Sequence, residues 1–239
     1  MSLFSVRSDK EEIMDDLECS GEVVDQTLRE LEFINKWLGG NQVTLGGLDH
    51  LIPKKEFSHK LTVADLGCGS GEMLKLVHNK LKDHQIDLQL LGIDANPHII
   101  SYAEKNCENI NAISFKTANI LDASFQQEKY DIIMATLFLH HFTNNQLIEI
   151  FRTLRRQVRL GIVVNDLHRH PLAYYSIKFL TNLFSKSAMV KYDAPLSVLR
   201  GFRKNELVEI LREAGILNYT LRWRWAFRWQ IIIPSQPPL

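Results

Sequence analysis

The sequence predicts an α/β fold: a doubly wound, mostly parallel sheet of seven strands with an N-terminal helical cover and a helical insertion after the fifth strand. Three observations predict it. Short apolar runs alternate with stretches of helical spacing between residues 61 and 165, a glycine cluster follows the first of these runs, and an aromatic, partly helical stretch at 167–200 interrupts the alternation before two last strand-like runs. Strands and helices alternating at this interval build a parallel sheet covered on both faces.

Taken in order, residues 9–38 read as helical, with Val23, Val24, Leu28, Leu31, Ile34, Trp37 and Leu38 near helical spacing. Gly39-Gly40 is expected to stop that run, and Gly46-Gly47 to mark a further turn. Strands are expected at 61–66, 88–94, 112–116, 130–136 and 160–165. Helices fall between them at 73–81, at 99–106 after Pro97, and at 146–157. A helix at 204–214 ends at Gly215, and 217–223 and 226–233 close the sheet, although no Asn-Gly marks the turn between them. The proline-rich end (Pro234, Pro237, Pro238) is expected to fray. The whole reads as one domain over 1–239: a cover at 1–50, a core at 60–166, an insertion at 167–200, and a closing helix and strands at 201–233.

Lysine plus arginine equals aspartate plus glutamate, 28 each, so the net charge is zero. That balance argues against a protein made chiefly to hold nucleic-acid backbone, and no nucleic-acid partner is expected. Cys19, Cys68 and Cys107 show no zinc or disulfide spacing. The N-terminus lacks the basic and apolar regions of a signal peptide, and the longest apolar run, 132–139, is too short to span a bilayer. A cytoplasmic location is expected.

The chemistry gathers where strands end. Asp65-Leu66-Gly67-Cys68-Gly69-Ser70-Gly71 closes the first strand. A dinucleotide fingerprint fails, because Glu72 or Leu74 stands where GxGxxG needs its last glycine, and no Gly-Lys-Ser/Thr follows for a Walker loop. Asp94 closes the second strand, where a carboxylate can accept from two ribose hydroxyls. Asn119 and Ile120 follow the third strand, and Thr136 ends the fourth.

The D-x-G-x-G-x-G loop, Glu72 and Gly92-Ile93-Asp94-Ala95-Asn96 resemble the class I S-adenosylmethionine-dependent methyltransferases. The resemblance implies a Rossmann-like fold. It also implies S-adenosylmethionine as cofactor, with S-adenosylhomocysteine as product. Asp65, Gly67, Cys68, Gly69 and Gly71 would hold the amino-acid half, and Asp94 and Ala95 the ribose. Asn119, in place of the family's usual acid, and Ile120 would hold the adenine, with Thr136 beside them. Leu139-His140-His141-Phe142 resembles the small-molecule branch, including quinone-biosynthesis enzymes, and 165–171 with 201–203 resemble methyltransferases of polyketide and phenolic metabolism. The implied reaction is O-methylation of a small, partly apolar acceptor. An RNA or protein methyltransferase and a non-catalytic cofactor-binding protein are the alternatives.

A hydroxyl acceptor gains from losing its proton, and histidine is the side chain suited to take it near neutral pH. His140 and His141 follow the fourth strand. His168 and His170 follow the fifth, and alternate residues of an extended segment share a side. All four are expected to face the cleft, with Asp166 placed to orient one of the rings. Asp166, His168 and His170 have ligand types that suit a metal, but methyl transfer needs none and no metal is expected. Tyr174, Tyr175 and Phe179 of the insertion, with Trp37, are expected to line an apolar acceptor pocket.

Overall fold

The structure is a computed structural model that describes residues 3–52, 60–82 and 86–235. Its strands are β1 (Leu61–Leu66), β2 (Leu88–Asp94), β3 (Ile113–Thr117), β4 (Tyr130–Thr136), β5 (Val158–Leu167), β6 (Thr220–Arg224) and β7 (Arg228–Pro234). They form one seven-stranded sheet in the order β3-β2-β1-β4-β5-β7-β6. Strands β1 to β5 pair in parallel, and β7 runs antiparallel between β5 and β6.

Alternation along each strand divides the core in two. Leu66, Ile133, Ala135, Ile162 and Val164 meet α5 (Asn144–Gln157) and α8 (Lys204–Glu213) on one face. Val63, Ile132, Met134 and Val163 meet α2 (Gly40–Leu48) and α3 (Glu72–Leu81) on the other. Strands buried on both faces lack polar positions, which is why β4 is apolar almost throughout. Helix α4 (Pro97–Asn106) flanks β2 and β3. It starts where Asn96 caps the amides of His98 and Ile99, with Pro97 in the first turn. The insertion is two helices, α6 (Pro171–Phe184) and α7 (Ala188–Arg200), packed on each other, and α1 (Glu22–Trp37) lies against α7.

Three expectations need correction. Residues 9–21 are not helical apart from one 3-10 turn at Ile13–Asp15, and the first helix starts at Glu22. Gly39 does end α1, but α2 begins at once and runs through Gly46 and Gly47, where a turn was expected. A Cβ on Gly47 would lie 2.5 Å from Val163 Cγ1, so this glycine lets a helix approach the sheet closely instead of turning the chain. The last two strands are also displaced from the expected ranges: β6 starts at Thr220 and β7 at Arg228. Their turn is made by Phe227 at φ 57°, the left-handed conformation that Asn-Gly would otherwise supply. The expected fraying at Pro237 and Pro238 lies outside the described residues. Among the described residues no helix is long and apolar enough to cross a membrane.

Strand order reverses about β1, which pairs with β2 on one side and β4 on the other. A parallel sheet opens a crevice at such a point, outside its carboxyl ends.

Candidate active site

A cavity of about 1600 Å³ occupies that crevice. Ligand pockets commonly measure about 300–1,000 Å³, so this one has room for two molecules. One half is lined by the loop after β1 and by Asp94, Ala95, Asn119, Ile120 and Thr136.

In the β1 loop, Gly67, Cys68 and Gly69 line the cavity, as does Asp65 beneath them. A Cβ on Gly69 would meet nothing nearer than Leu28 Cδ2 at 3.8 Å, so the backbone here is open to a ligand. Gly71 has a different task. It caps α3 at φ 78° and does not line the cavity; a Cβ there would sit 2.9 Å from Cys107 Sγ and from Phe115. The Cys68 thiol is raised well above its ordinary range by burial and by the carboxylates of Asp94 and Asp65, which keeps it protonated.

Asp65 is buried, and its Oδ1 has no hydrogen-bond partner. Burial, and then the charge of Asp94, push its carboxyl up to about 8. Such a group favours a cation placed against it. Asp94 accepts the Asn96 amide at 3.0 Å and the Gly69 amide at 3.4 Å, and burial raises it too. Asn119 Oδ1 accepts the Leu121 amide at 3.0 Å, which leaves one lone pair for a ligand donor. Thr136 Oγ1 is paired with Thr44 Oγ1 at 2.8 Å.

The other half of the cavity holds His140 and His141, in the 3-10 turn Leu139–His141 after β4. Leu137 enters this turn at φ 53°, a conformation rare for leucine, held by its amide on Asn165 O at 2.8 Å. His140 Nδ1 lies 2.7 Å from Asp166 Oδ1, and both groups are buried. His141 Nδ1 is bonded to Asp15, and the two imidazoles lie 4.3 Å apart, centroid to centroid.

Sequence reasoning missed the groups that complete this cluster. Glu12 is buried with Oε1 unpaired, 3.6 Å from His140 Nε2. Burial pushes its carboxyl up to about 7. Arg200 pairs with Asp15 and donates to His140 O and His141 O. The segment carrying Glu12 and Asp15 is strapped across the site. Asp193 of α7 accepts the Ile13 and Met14 amides at 2.8 and 3.1 Å, and Arg7 donates to His140 O at 2.8 Å. One ligand atom each from Glu12, His140 and His141 fall within 4.8 Å of one another, a set of the kind that holds divalent cations. Arg200 Nε lies 3.7 Å from the same Glu12 oxygen, and its charge would oppose an ion there.

Other expected residues lie elsewhere. His168 and His170 share a side, 5.4 Å between centroids, but they do not line the cavity. His168 packs on Trp229 and accepts from Trp223 Nε1, and His170 stacks on Phe227. Between them, Arg169 turns inward to pair with Glu206. The grouping of Asp166 with these two rings therefore does not form, because Asp166 is taken by His140. Tyr175, Phe179 and Trp37 face solvent, and Tyr174 packs on Phe4. The face of α6 towards the cavity is Ala173, Ser176, Ile177 and Leu180, a different face of the helix from the aromatic stripe.

Residues 63–161 match the family described as methyltransferase domain. That stretch, about two fifths of the chain, is thus similar to a methyltransferase domain. A putative methyltransferase of Invertebrate iridescent virus 6 is 27% identical over 97 residues, 41% of this chain and 34% of the viral protein, so the match spans about a third of that relative. The human N-acetylserotonin methyltransferase, in complex with S-adenosylmethionine, superposes with a TM-score of 0.66 at 16% identity over 96% of this chain and 60% of that one. The plantazolicin methyltransferase BpumL, in complex with S-adenosylhomocysteine, superposes with a TM-score of 0.63 at 18% identity, covering 89% of each chain. The methyltransferase domain of citrinin polyketide synthase does so at 0.61 and 16%, over 82% of this chain and 53% of that one. At these identities the likeness establishes the fold.

Two of these similar structures hold S-adenosylmethionine or S-adenosylhomocysteine, and the residues of this cavity fit the same group. The unpaired Asp65 carboxyl suits an α-ammonium group, the open backbone at Gly69 suits the amino-acid chain, and Asp94 suits a ribose diol.

Proposed function

We propose that the protein transfers a methyl group from S-adenosylmethionine to an oxygen of a small, partly apolar acceptor of phenolic, quinol or polyketide type. The observation that carries this reading is His140, which lines the same cavity as the Gly69 loop and Asp94 and is backed by Asp166.

The sulfonium, when bound, supplies an electrophilic methyl group. This chain's residues do the rest. Asp65, the β1 loop and Asp94 hold the cofactor, and Asn119 and Ile120 border the adenine. Asp166 accepts the Nδ1 proton of His140 and so leaves the lone pair on Nε2. His140 then takes the acceptor's hydroxyl proton at Nε2, and the charges of Asp166 and Glu12 stabilise the imidazolium. His141, with about a quarter of its side chain open to the cavity, positions the acceptor. Ile177 and Leu180 of α6 and Ile34 and Leu38 of α1 give the acceptor half an apolar wall that excludes water.

The test is turnover with phenolic and quinol acceptors, read by mass spectrometry, together with calorimetric titration of S-adenosylhomocysteine. His140→Ala should bind the product cofactor as the wild type does and lose methyl transfer. Equal turnover in wild type and variant would remove His140 as the base. Absence of cofactor binding would remove the reading as a whole.

A further inference from the structure

Three segments rim the cavity mouth, and they meet pairwise. Glu30 of α1 accepts from the Ser185 hydroxyl and, at 3.0 Å, from the Lys186 amide at the end of α6. Asn35 of α1 accepts from Arg228 at the start of β7, at 2.9 Å. Phe227, in the turn before β7, stacks on His170, the N-cap of α6, at 5.1 Å. The ring is closed.

Each segment turns one side to the cavity and presents apolar residues beside it to solvent. Leu172, Tyr175, Phe179 and Leu183 form one exposed stripe along α6. Phe33 and Trp37 add to it on α1, as do Trp223 at the end of β6 and Trp225 in the β6–β7 turn. Trp37 is 70% exposed, Phe179 66% and Trp225 73%. Scattered apolar residues on a surface are ordinary, whereas a closed ring of them around an opening marks an interaction surface.

Apart from Glu30, bonded to Ser185 and the Lys186 amide, and Glu32, bonded to Asn106, the charges on the ring have one sign. Residues 33–38, 171–187 and 221–227 carry Lys36, Lys178, Lys186, Arg222 and Arg224 and no aspartate or glutamate, in a chain whose acids and bases balance at 28 each. Aromatic and aliphatic side chains flanked by lysine and arginine suit the headgroup boundary of a bilayer containing anionic lipid. A second copy fits poorly, because a two-fold contact through this ring would set its cations against themselves.

We propose that this ring seats the protein on an anionic lipid surface with the cavity mouth facing the bilayer, so that a long-chain or lipid-dissolved acceptor enters without crossing water. The route of entry rests on the acceptor reading above; the seating does not.

The experiment is co-sedimentation of the full chain with phosphatidylcholine vesicles, with and without phosphatidylglycerol, alongside calorimetric titration of S-adenosylhomocysteine. The wild type should bind the anionic vesicles and be released by salt. Trp37→Ser/Phe179→Ser should weaken that binding about tenfold or more. Lys178→Glu/Lys186→Glu should weaken it on anionic vesicles by about fivefold or more per site. Both variants should titrate the product cofactor as the wild type does, which shows that they fold. Absence of vesicle binding by the wild type, or equal binding by both variants, would overturn the proposal. So would a wild-type dimer in size-exclusion chromatography that Trp37→Ser/Phe179→Ser dissociates. Vesicle binding by a protein that methylates no phenolic acceptor would uphold the seating and remove only the acceptor reading.

Discussion

Asp166 does not reach the histidines beside it in the chain; its Oδ1 lies 2.7 Å from Nδ1 of His140, 26 positions away on the neighbouring strand's end. The bond joins the carboxyl ends of β4 and β5 and fixes which imidazole nitrogen is free. Asp166→Asn keeps the shape and removes the charge. We expect methyl transfer to fall by about 100-fold or more, with S-adenosylhomocysteine affinity unchanged, because a neutral amide neither selects the tautomer nor stabilises the imidazolium. Steady-state kinetics beside calorimetry would separate the two effects.

Asp65 makes cofactor affinity depend on pH. Its carboxyl is raised to about 8, and a bound ammonium favours the ionised form. Affinity for S-adenosylhomocysteine should therefore rise between pH 6 and 8, by at most about tenfold per unit, with proton release on binding. Titration in buffers of different ionisation enthalpy reads that proton directly. Asp65→Asn should flatten the profile.

Gly47 offers a test of packing whose sign is informative. At an open helix position, glycine to alanine stabilises by about 0.5–1 kcal/mol. Here the added methyl group meets Val163 Cγ1 at 2.5 Å. Gly47→Ala should destabilise by about 1–3 kcal/mol, measured by urea unfolding.

Acid should loosen the strap across the site. Asp15, paired with His141 and Arg200, is held well below the usual aspartate range, chiefly against the cost of its burial, by its bond to His141. A depressed carboxylate contributes stability that is present above its unfolded value, 3.8, and lost as pH falls through its folded value. The thermal midpoint of the wild type should thus drop below about pH 4, and Asp15→Asn should show a shallower drop.

The sheet was legible because its cause is local. Odd and even positions of 61–66 and 130–136 feed two cores, and buried parallel strands look like nothing else of that length. Asp65, Gly69 and Asp94 were legible for the same reason: each sits where a strand stops. Helix α2 was hidden because glycine marks both a turn and a close approach, and only Val163 across the gap tells them apart. His168 and His170 were correctly placed on one side, but nothing local says which side faces the cavity; Arg169 decides it by turning to Glu206. Glu12 and Asp15 fell inside the stretch read as helical and drew no functional reading, since their partners His140, His141 and Arg200 come more than a hundred residues later.

That separation also sets an order of events during synthesis. The strap leaves the ribosome before the sheet, yet Asp193 and Arg200, which anchor it, are made nearly two hundred residues later. The sheet from β1 to β5 can pair while the strap has nothing to hold. Burial of Glu12 against His140 thus belongs to the last stage of folding, and a nascent chain stalled before α7 would carry a formed cofactor cleft and an unfinished acceptor site.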